Sequence, residues 1–472
     1  MEEEFGLDPN EDAEASVSRY EEMIRRKDQY FFDADAFENI IDYYAEKEDF
    51  NKATQVIEYA LNQHPYIAVF YIKKAQLQIH NLDYKNAHQS LNQAFSLEPS
   101  AYEIPLLRGH IYEYQSLYEQ AIEQYNIALD MMEEDEEAKD DVFIHLAHVY
   151  QQVGDITQAL KFYKNCLKIN HENQEALYGL IYSYDFLDKR EDCIAFLTRF
   201  TDDNPYSHVA WYNLGIAYTL IGLHEKAIDA YDYAILVKED YAIAYYNKGD
   251  ALSNLERYDD AIKIYHQALE YGMPRADIYC ALGECYENLN QMEEARSFYK
   301  KAVKLDAQMS EAWYGIGLTL YNEERYFEGM HFLQKAIELQ PDNPDYWFSV
   351  GETALNLGNL EVAEKAFLKT IEYNLFDSEA WSNLCAIYAE TNRIDEAIKN
   401  METAIQLSAD NAELYYRLAA YLFINGSIDD ALTNLQMALK LDVKQLPILF
   451  EISPELQQNP LVMEIVNKNI TE

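Results

Sequence analysis

The residues of this chain that could do chemistry are imidazoles, carboxylates, amides and phenols. Their spacing suits binding rather than turnover. No G-x-x-x-x-G-K-[ST], H-E-x-x-H or G-x-S-x-G motif occurs, nor a G-x-G-x-x-G after a strand. The phosphate cradle, zinc hydrolase and serine nucleophile signatures are therefore missing, and neither an enzyme nor a cofactor is expected. His145 and His148 are spaced i, i+3, on one face of a helix, and His110 lies upstream. Imidazoles can bind zinc or switch charge near neutral pH. Structural zinc sites usually show four ligands in close sequence pairs, so no metal is expected, and a metal-binding or pH-sensing role for His110, His145 and His148 is the alternative reading. Asn254, Asn288, Asn322 and Asn356 recur at steps of 34 residues. An amide side chain carries donor and acceptor and can pair with a peptide backbone whatever its sequence, although Asn also suits the end of a helix. Tyr178, Tyr212 and Tyr246 keep the same step, with Tyr314 two steps further on, and so do Asp250 and Glu284. Tyrosine offers rigid apolar area with a polar tip, and carboxylates beside it favour Lys or Arg in a ligand.

A common step needs a common element. The stretch from His208 to Tyr241 carries apolar stripes at helical spacing on both sides of Gly222, which predicts two amphipathic helices and a break between them. Shifted by 34 residues, the pattern returns. With Trp211 as position 4, that position holds Phe37, Tyr71, Pro105, Phe143, Leu177, Trp211, Tyr245, Tyr279, Trp313, Trp347, Trp381 and Tyr415, which makes 12 repeats. The four tryptophans all stand there, and position 20 is alanine in ten repeats. Position 8 is glycine in six, Gly109, Gly215, Gly249, Gly283, Gly317 and Gly351. Small residues at positions 8 and 20 are expected to let the two helices of a hairpin cross closely, since overpacking there would cost about 1–3 kcal/mol. The fifth repeat has Cys193 and Phe200 where alanines usually stand, and Gly329 replaces alanine in the ninth. These units are expected to be locally looser or bent.

A 34-residue period with Trp, Leu-Gly and Tyr in the first helix and Ala, Tyr and Ala in the second resembles the tetratricopeptide repeat family, over almost the whole chain. The resemblance implies an all-α solenoid, a right-handed superhelix of 12 hairpins with N- and C-terminal capping helices. It also implies that positions 2, 5, 6, 9, 12 and 13 line a concave groove. Carried over residue by residue, the groove gains Tyr182 at position 9 and Asn213 and Asn247 at position 6. Its set is then Tyr178, Tyr182, Tyr212, Asn213, Tyr246, Asn247, Asp250, Asn254, Glu284, Asn288, Tyr314 and Asn322. The same geometry sets His110 beside His145 and His148. One branch of the family grips C-terminal carboxylates with Lys at position 5. No repeat here has it, which argues against that role.

The formal net charge is -46, from 83 acidic and 37 basic residues. Nucleic acid and anionic membranes are disfavoured as partners, and a basic or basic-apolar protein or peptide is expected. The implied function is an interaction scaffold, with a structural subunit of a larger assembly as a further alternative. Five cysteines without a C-x-x-C pair, no apolar signal region and no long apolar run point to a cytoplasmic chain. The expected organisation is an acidic tail over 1–15, a capping helix over 16–33 begun by a capping box at Ser18 and Glu21, repeats over 34–442 and capping helices over 443–472. An acidic insert near 131–141 and a helix capped by Ser453 at PELQQ complete the expectation.

Overall fold

The computed structural model describes residues 9–132, 138–272 and 275–471. Among them every regular element is helical: 27 α-helices and two 3-10 turns. The chain is an all-α solenoid. It divides into two compact units at Glu239 and Asp240, between repeats six and seven, and each unit is described by itself. The first holds the helix Pro9–Arg26 and six hairpins, from Ala34–Glu46 with Phe50–Gln63 to His208–Thr219 with His224–Val237. The second holds six hairpins, from Ala242–Asn254 with Tyr258–Glu270 to Ala412–Ile424 with Ile428–Leu441, and a C-terminal group of short helices.

Each hairpin closes in the same way. The N–H of position 16 donates to the carbonyl of position 11 in all 12 repeats, as in Asp49 to Tyr44 at 2.9 Å and Gln291 to Tyr286 at 2.8 Å. This is a Schellman closure, and it requires a left-handed residue at position 15. Only Gly154, Gly222, Gly358 and Gly426 are glycines; Glu48, Leu82, Ser116, Asp188, Glu256, Asn290, Glu324 and Asn392 adopt positive φ as well. A side chain there is strained by about 1–2 kcal/mol. The tryptophans tie neighbouring repeats together. Trp211, Trp313, Trp347 and Trp381 each donate their indole N–H to a carbonyl six residues upstream, at 2.8–3.0 Å.

The glycines at position 8 have a different cause from the one expected. A Cβ on Gly215 would meet the ring of Tyr231 at 2.4 Å, and one on Gly249 that of Tyr265 at 2.5 Å. Tyr125, Tyr299 and Phe367 fill the same space over Gly109, Gly283 and Gly351, and Leu333 does so over Gly317. The decisive partner is therefore position 24, not the alanine at position 20. Position 20 does lie close to the first helix, since a Cβ on Gly329 would sit 3.1 Å from the Gly317 carbonyl. Sizes compensate along the chain. Where position 8 is Ile41, Ala75, Ile181, Cys385 or Ala419, position 24 is the smaller Ile57, Leu91, Leu197, Met401 or Leu435; the exception is Ala147 with Tyr163, whose ring lies against Gly179 of the next repeat. All twelve position-24 side chains are buried.

The ends differ from the expected outline. The first helix starts at Pro9 and ends at Arg26; proline is pre-set for a first helical position, so Ser18 lies mid-helix and caps nothing. Glu21 instead accepts from the Tyr44 hydroxyl at 3.0 Å. Residues 1–8 and the acidic run 133–137 lie outside the described residues; the flanking helices end at Met131 and begin at Lys139. PELQQ forms a 3-10 turn rather than an α-helix, because Ser453 donates to the Glu455 carboxylate at 2.6 Å and does not cap a backbone N–H. Leu449, Leu456, Val462 and Val466 join the core of the last two repeats.

Replacing Gly283 by alanine tests the packing rule. Intrinsic helix propensity favours the change by about 1 kcal/mol. The Tyr299 ring, 2.6 Å from the new methyl group, has nowhere to go, so urea denaturation is expected to show a net loss of about 1–3 kcal/mol.

Candidate functional site

The first helices carry the residues expected to bind. In the first unit Tyr178 and Tyr182 stand on the helix Gln174–Phe186 and are exposed, Tyr178 by 66%. They share a cavity of about 380 Å³ with His148, Gln151, Gln152 and Glu175. Its floor exists because Gly179 leaves room for the Tyr163 ring of the preceding repeat. Tyr212 is half-buried with its ring 5.9 Å from that of Tyr231. Asn213 is a correction. It is 3% exposed, and its amide donates to the Val209 carbonyl at 2.9 Å. Position 6 faces the second helix of the preceding hairpin, as Gly179 against Tyr163 shows, and not the open side.

In the second unit the helices Ala242–Asn254 and Ala276–Asn288 gather carboxylates. Asp250 accepts from the Tyr265 hydroxyl at 2.6 Å, and Glu287 from that of Tyr299 at 2.8 Å. Burial raises the Asp250 carboxyl; the phenols of Tyr265 and Tyr246 pull it down, Asp277 pushes it up again, and the balance is upward. Glu284 presents its side chain to solvent at one edge, yet desolvation raises it first, with Asp250, Glu287 and Glu311 adding to the rise against a hydrogen bond from Cys280. Glu287 is raised by burial against the pull of Tyr299. Among the described residues no Lys or Arg pairs with these three carboxylates. Glu287 was not singled out from the sequence; position 12 and the tyrosine twelve residues later were its signal.

The other candidates are tied to the scaffold. Tyr246 packs on Tyr265 at 6.1 Å. Tyr314 lies 4.6 Å from the Tyr346 ring and bonds Ser349 at 3.0 Å, which is repeat-to-repeat packing. Asn247 is half-buried. Asn254, Asn288 and Asn356 are exposed but donate to the carbonyls four residues earlier, and Asn322 reaches the Met292 sulphur at 3.8 Å. They sit in the last turn of their helices, where such back-bonding is a helix-end habit.

The three histidines do not converge. The rings of His110 and His145 are 4.4 Å apart, but His148 turns to Glu175 at 3.2 Å. Among the described residues no three His, Cys, Asp or Glu side chains are grouped to hold a metal. His145 contacts Glu113 at 3.0 Å, and Tyr125 also donates to Glu113. Burial raises Glu113, but these two hydrogen bonds outweigh it and its carboxyl is lowered. His110 is pushed down to about 4, by burial first and then by His145, with Glu113 opposing; its Nε2 is buried without a partner. The five cysteines are buried, free thiols.

Three family models fit this architecture. One, described as the cilia and flagella-associated protein 70 C-terminal domain, matches residues 279–452. Two tetratricopeptide repeat models match residues 246–310, and residues 140–173 and 208–241. The last two segments both begin at position 1 of the present numbering. The chain is a tetratricopeptide repeat protein. Among solved structures, YrrB, a TPR protein with an unusual peptide-binding site, is 25% identical, spans 41% of this chain and 97% of its own, and superposes with a TM-score of 0.34. MamA is 25% identical over 34% of this chain and 94% of its own, with a TM-score of 0.33. No curated protein matches the repeat protein. No described helix is long and apolar enough to cross a membrane.

The His110 environment sets a pH dependence. A histidine held below its ordinary value stays neutral when folded, so its stability contribution is full above about 6.5 and is lost as pH falls towards about 4. Chemical denaturation between pH 7 and 5 is expected to show a decline in the first unit that His110→Gln flattens. Equal slopes for the two proteins would refute this assignment.

Proposed function

We propose that this protein–protein interaction scaffold binds a basic or basic-apolar peptide segment along the first helices of its repeats, without catalysis or cofactor. The observation that carries the reading is the trio Asp250, Glu284 and Glu287 on two adjacent helices: burial raises all three carboxyls, Asp250 and Glu287 add to the rise at Glu284, and among the described residues none of them pairs with a Lys or Arg. The fold uses Asp250 and Glu287 as acceptors for the Tyr265 and Tyr299 hydroxyls but supplies no cation for their charge among the described residues. A Lys or Arg side chain laid between them would relieve the repulsion and regain the lost solvation as hydrogen bonds. Tyr178 and Tyr182 offer exposed rings in the other unit. The net charge of -46 favours a basic partner over nucleic acid or an anionic membrane. Five unpaired thiols suit a reducing, cytoplasmic setting.

The test is a double substitution, Asp250→Asn with Glu284→Gln, which keeps the shape and removes the charge. A raised carboxyl penalises the folded state above its own titration and ceases to do so below the ordinary value near 4. The empty variant is therefore expected to melt higher than the parent at pH 7, by about 2–4 °C for each kcal/mol of relief, with the gap closing as pH falls. Calorimetric titration with a synthetic Lys/Leu peptide is expected to weaken by about tenfold or more in the variant. No binding of the Lys/Leu peptide, or Lys/Leu affinity that ignores the substitutions, would overturn the proposal.

A further inference from the structure

The strongest unassigned feature lies on the other side of the hairpins, on the second helices of repeats four and five. The helix Ile156–Ile169 and the helix Arg190–Asp203 wall a cavity of about 490 Å³. Its floor is apolar, made by Leu160, Leu167, Phe196 and Phe200. Phe200 is one of the departures in the fifth repeat, standing where nine repeats bury an alanine. Its ring packs against the core from the side. It stacks on Phe196 at 5.8 Å and stays partly open to solvent.

The rim is cationic. Lys161, Lys164 and Lys168 follow at i, i+3 and i+7 on one face of their helix and all line the cavity. Lys164 lies 5.0 Å from the Tyr184 ring and 5.1 Å from the Phe196 ring. Lys168 donates to Asn165 at 3.0 Å, and Lys161 lies 5.7 Å from the Phe162 ring. None of the three pairs with a carboxylate among the described residues. Elsewhere Lys73, Lys263, Lys335, Lys365 and Lys369 each hold a carboxylate.

We propose that this face docks an acidic, amphipathic helical segment of a partner protein. Its apolar side chain would enter the cavity against Phe196 and Phe200, and its carboxylates would meet the lysines. The lysine row spans about 10 Å, two helical turns, so a helix laid alongside would present Glu or Asp at matching i, i+3 or i+4, and i+7 positions. The charge required is opposite to that favoured by the first-helix carboxylates, and the two sites do not depend on each other.

Fluorescence anisotropy with a labelled, synthetic Glu/Leu amphipathic peptide tests this directly on the full chain. Saturable, salt-sensitive binding is expected, weakened about tenfold or more by Lys161→Glu with Lys164→Glu and Lys168→Glu, and weakened again by Phe200→Ala. Lys161→Gln with Lys168→Gln, at two exposed positions, gives a variant that keeps its fold, and it should show an intermediate loss. Affinity unchanged by these substitutions, or no binding at all, overturns the proposal. Lysine-dependent binding of phosphatidylserine vesicles or of inorganic polyphosphate, with the peptide ignored, overturns it in favour of a membrane or a free anion.

Discussion

A large side chain at position 24 fills the space left by a small one at position 8, and the rest of the solenoid is arranged around that fit. Burying a side chain of this size stabilises each hairpin by roughly 1.5–3 kcal/mol. A tyrosine tolerates it only if its hydroxyl finds a partner. The tips of Tyr125, Tyr163, Tyr231, Tyr265 and Tyr299 end on Glu113, Gln151, Thr219, Asp250 and Glu287. The polar residues of the first-helix face are thus anchored from beneath. Asp250 and Glu287 each serve the core by accepting from a buried tyrosine. Core packing and surface chemistry share atoms here.

The two faces of the hairpins carry different electrostatics. On the first helices, carboxylates crowd together and are driven towards their neutral forms. On the second helix of repeat four, Lys161, Lys164 and Lys168 line one cavity, and among the described residues none of them pairs with an acid. Surface charge elsewhere is used locally, in pairs such as Lys365 with Glu361 at 2.7 Å or Arg325 with Glu328 at 2.6 Å. Such exposed pairs contribute little to stability, whereas unpaired clusters leave their charge available to another molecule.

The hairpins were legible because one residue type at one position, repeated at a fixed step, has few physical explanations. Trp211, Trp313, Trp347 and Trp381 and the position-20 alanines fixed the register, and the structure adds what they do: the indoles clip the inter-repeat turn. The role of Gly249 was legible only in part. Its partner Tyr265 lies sixteen residues on, and the size compensation between the two positions could have been read along this single chain. Asn213 was misplaced because a position number carried over from a family describes an average backbone, while neighbouring hairpin contacts decide which way a short amide points. The separation of His148 from His110 could not be read at all, since the competing acid, Glu175, belongs to the next repeat.

The hairpin turn has a consequence for how this array could change. Its left-handed residue is imposed by the closure between helices and not by local preference, since leucine, serine and glutamate adopt it there as well as glycine. The turns at Glu48, Leu82, Ser116, Glu256 and Glu324 therefore sit above their conformational minimum, each a spring held closed by the packing of its own hairpin. Tension spread so evenly along a chain of near-identical units makes any one of them dispensable as a local optimum. The protein can drift in sequence at its tightest bends without altering the path of its backbone.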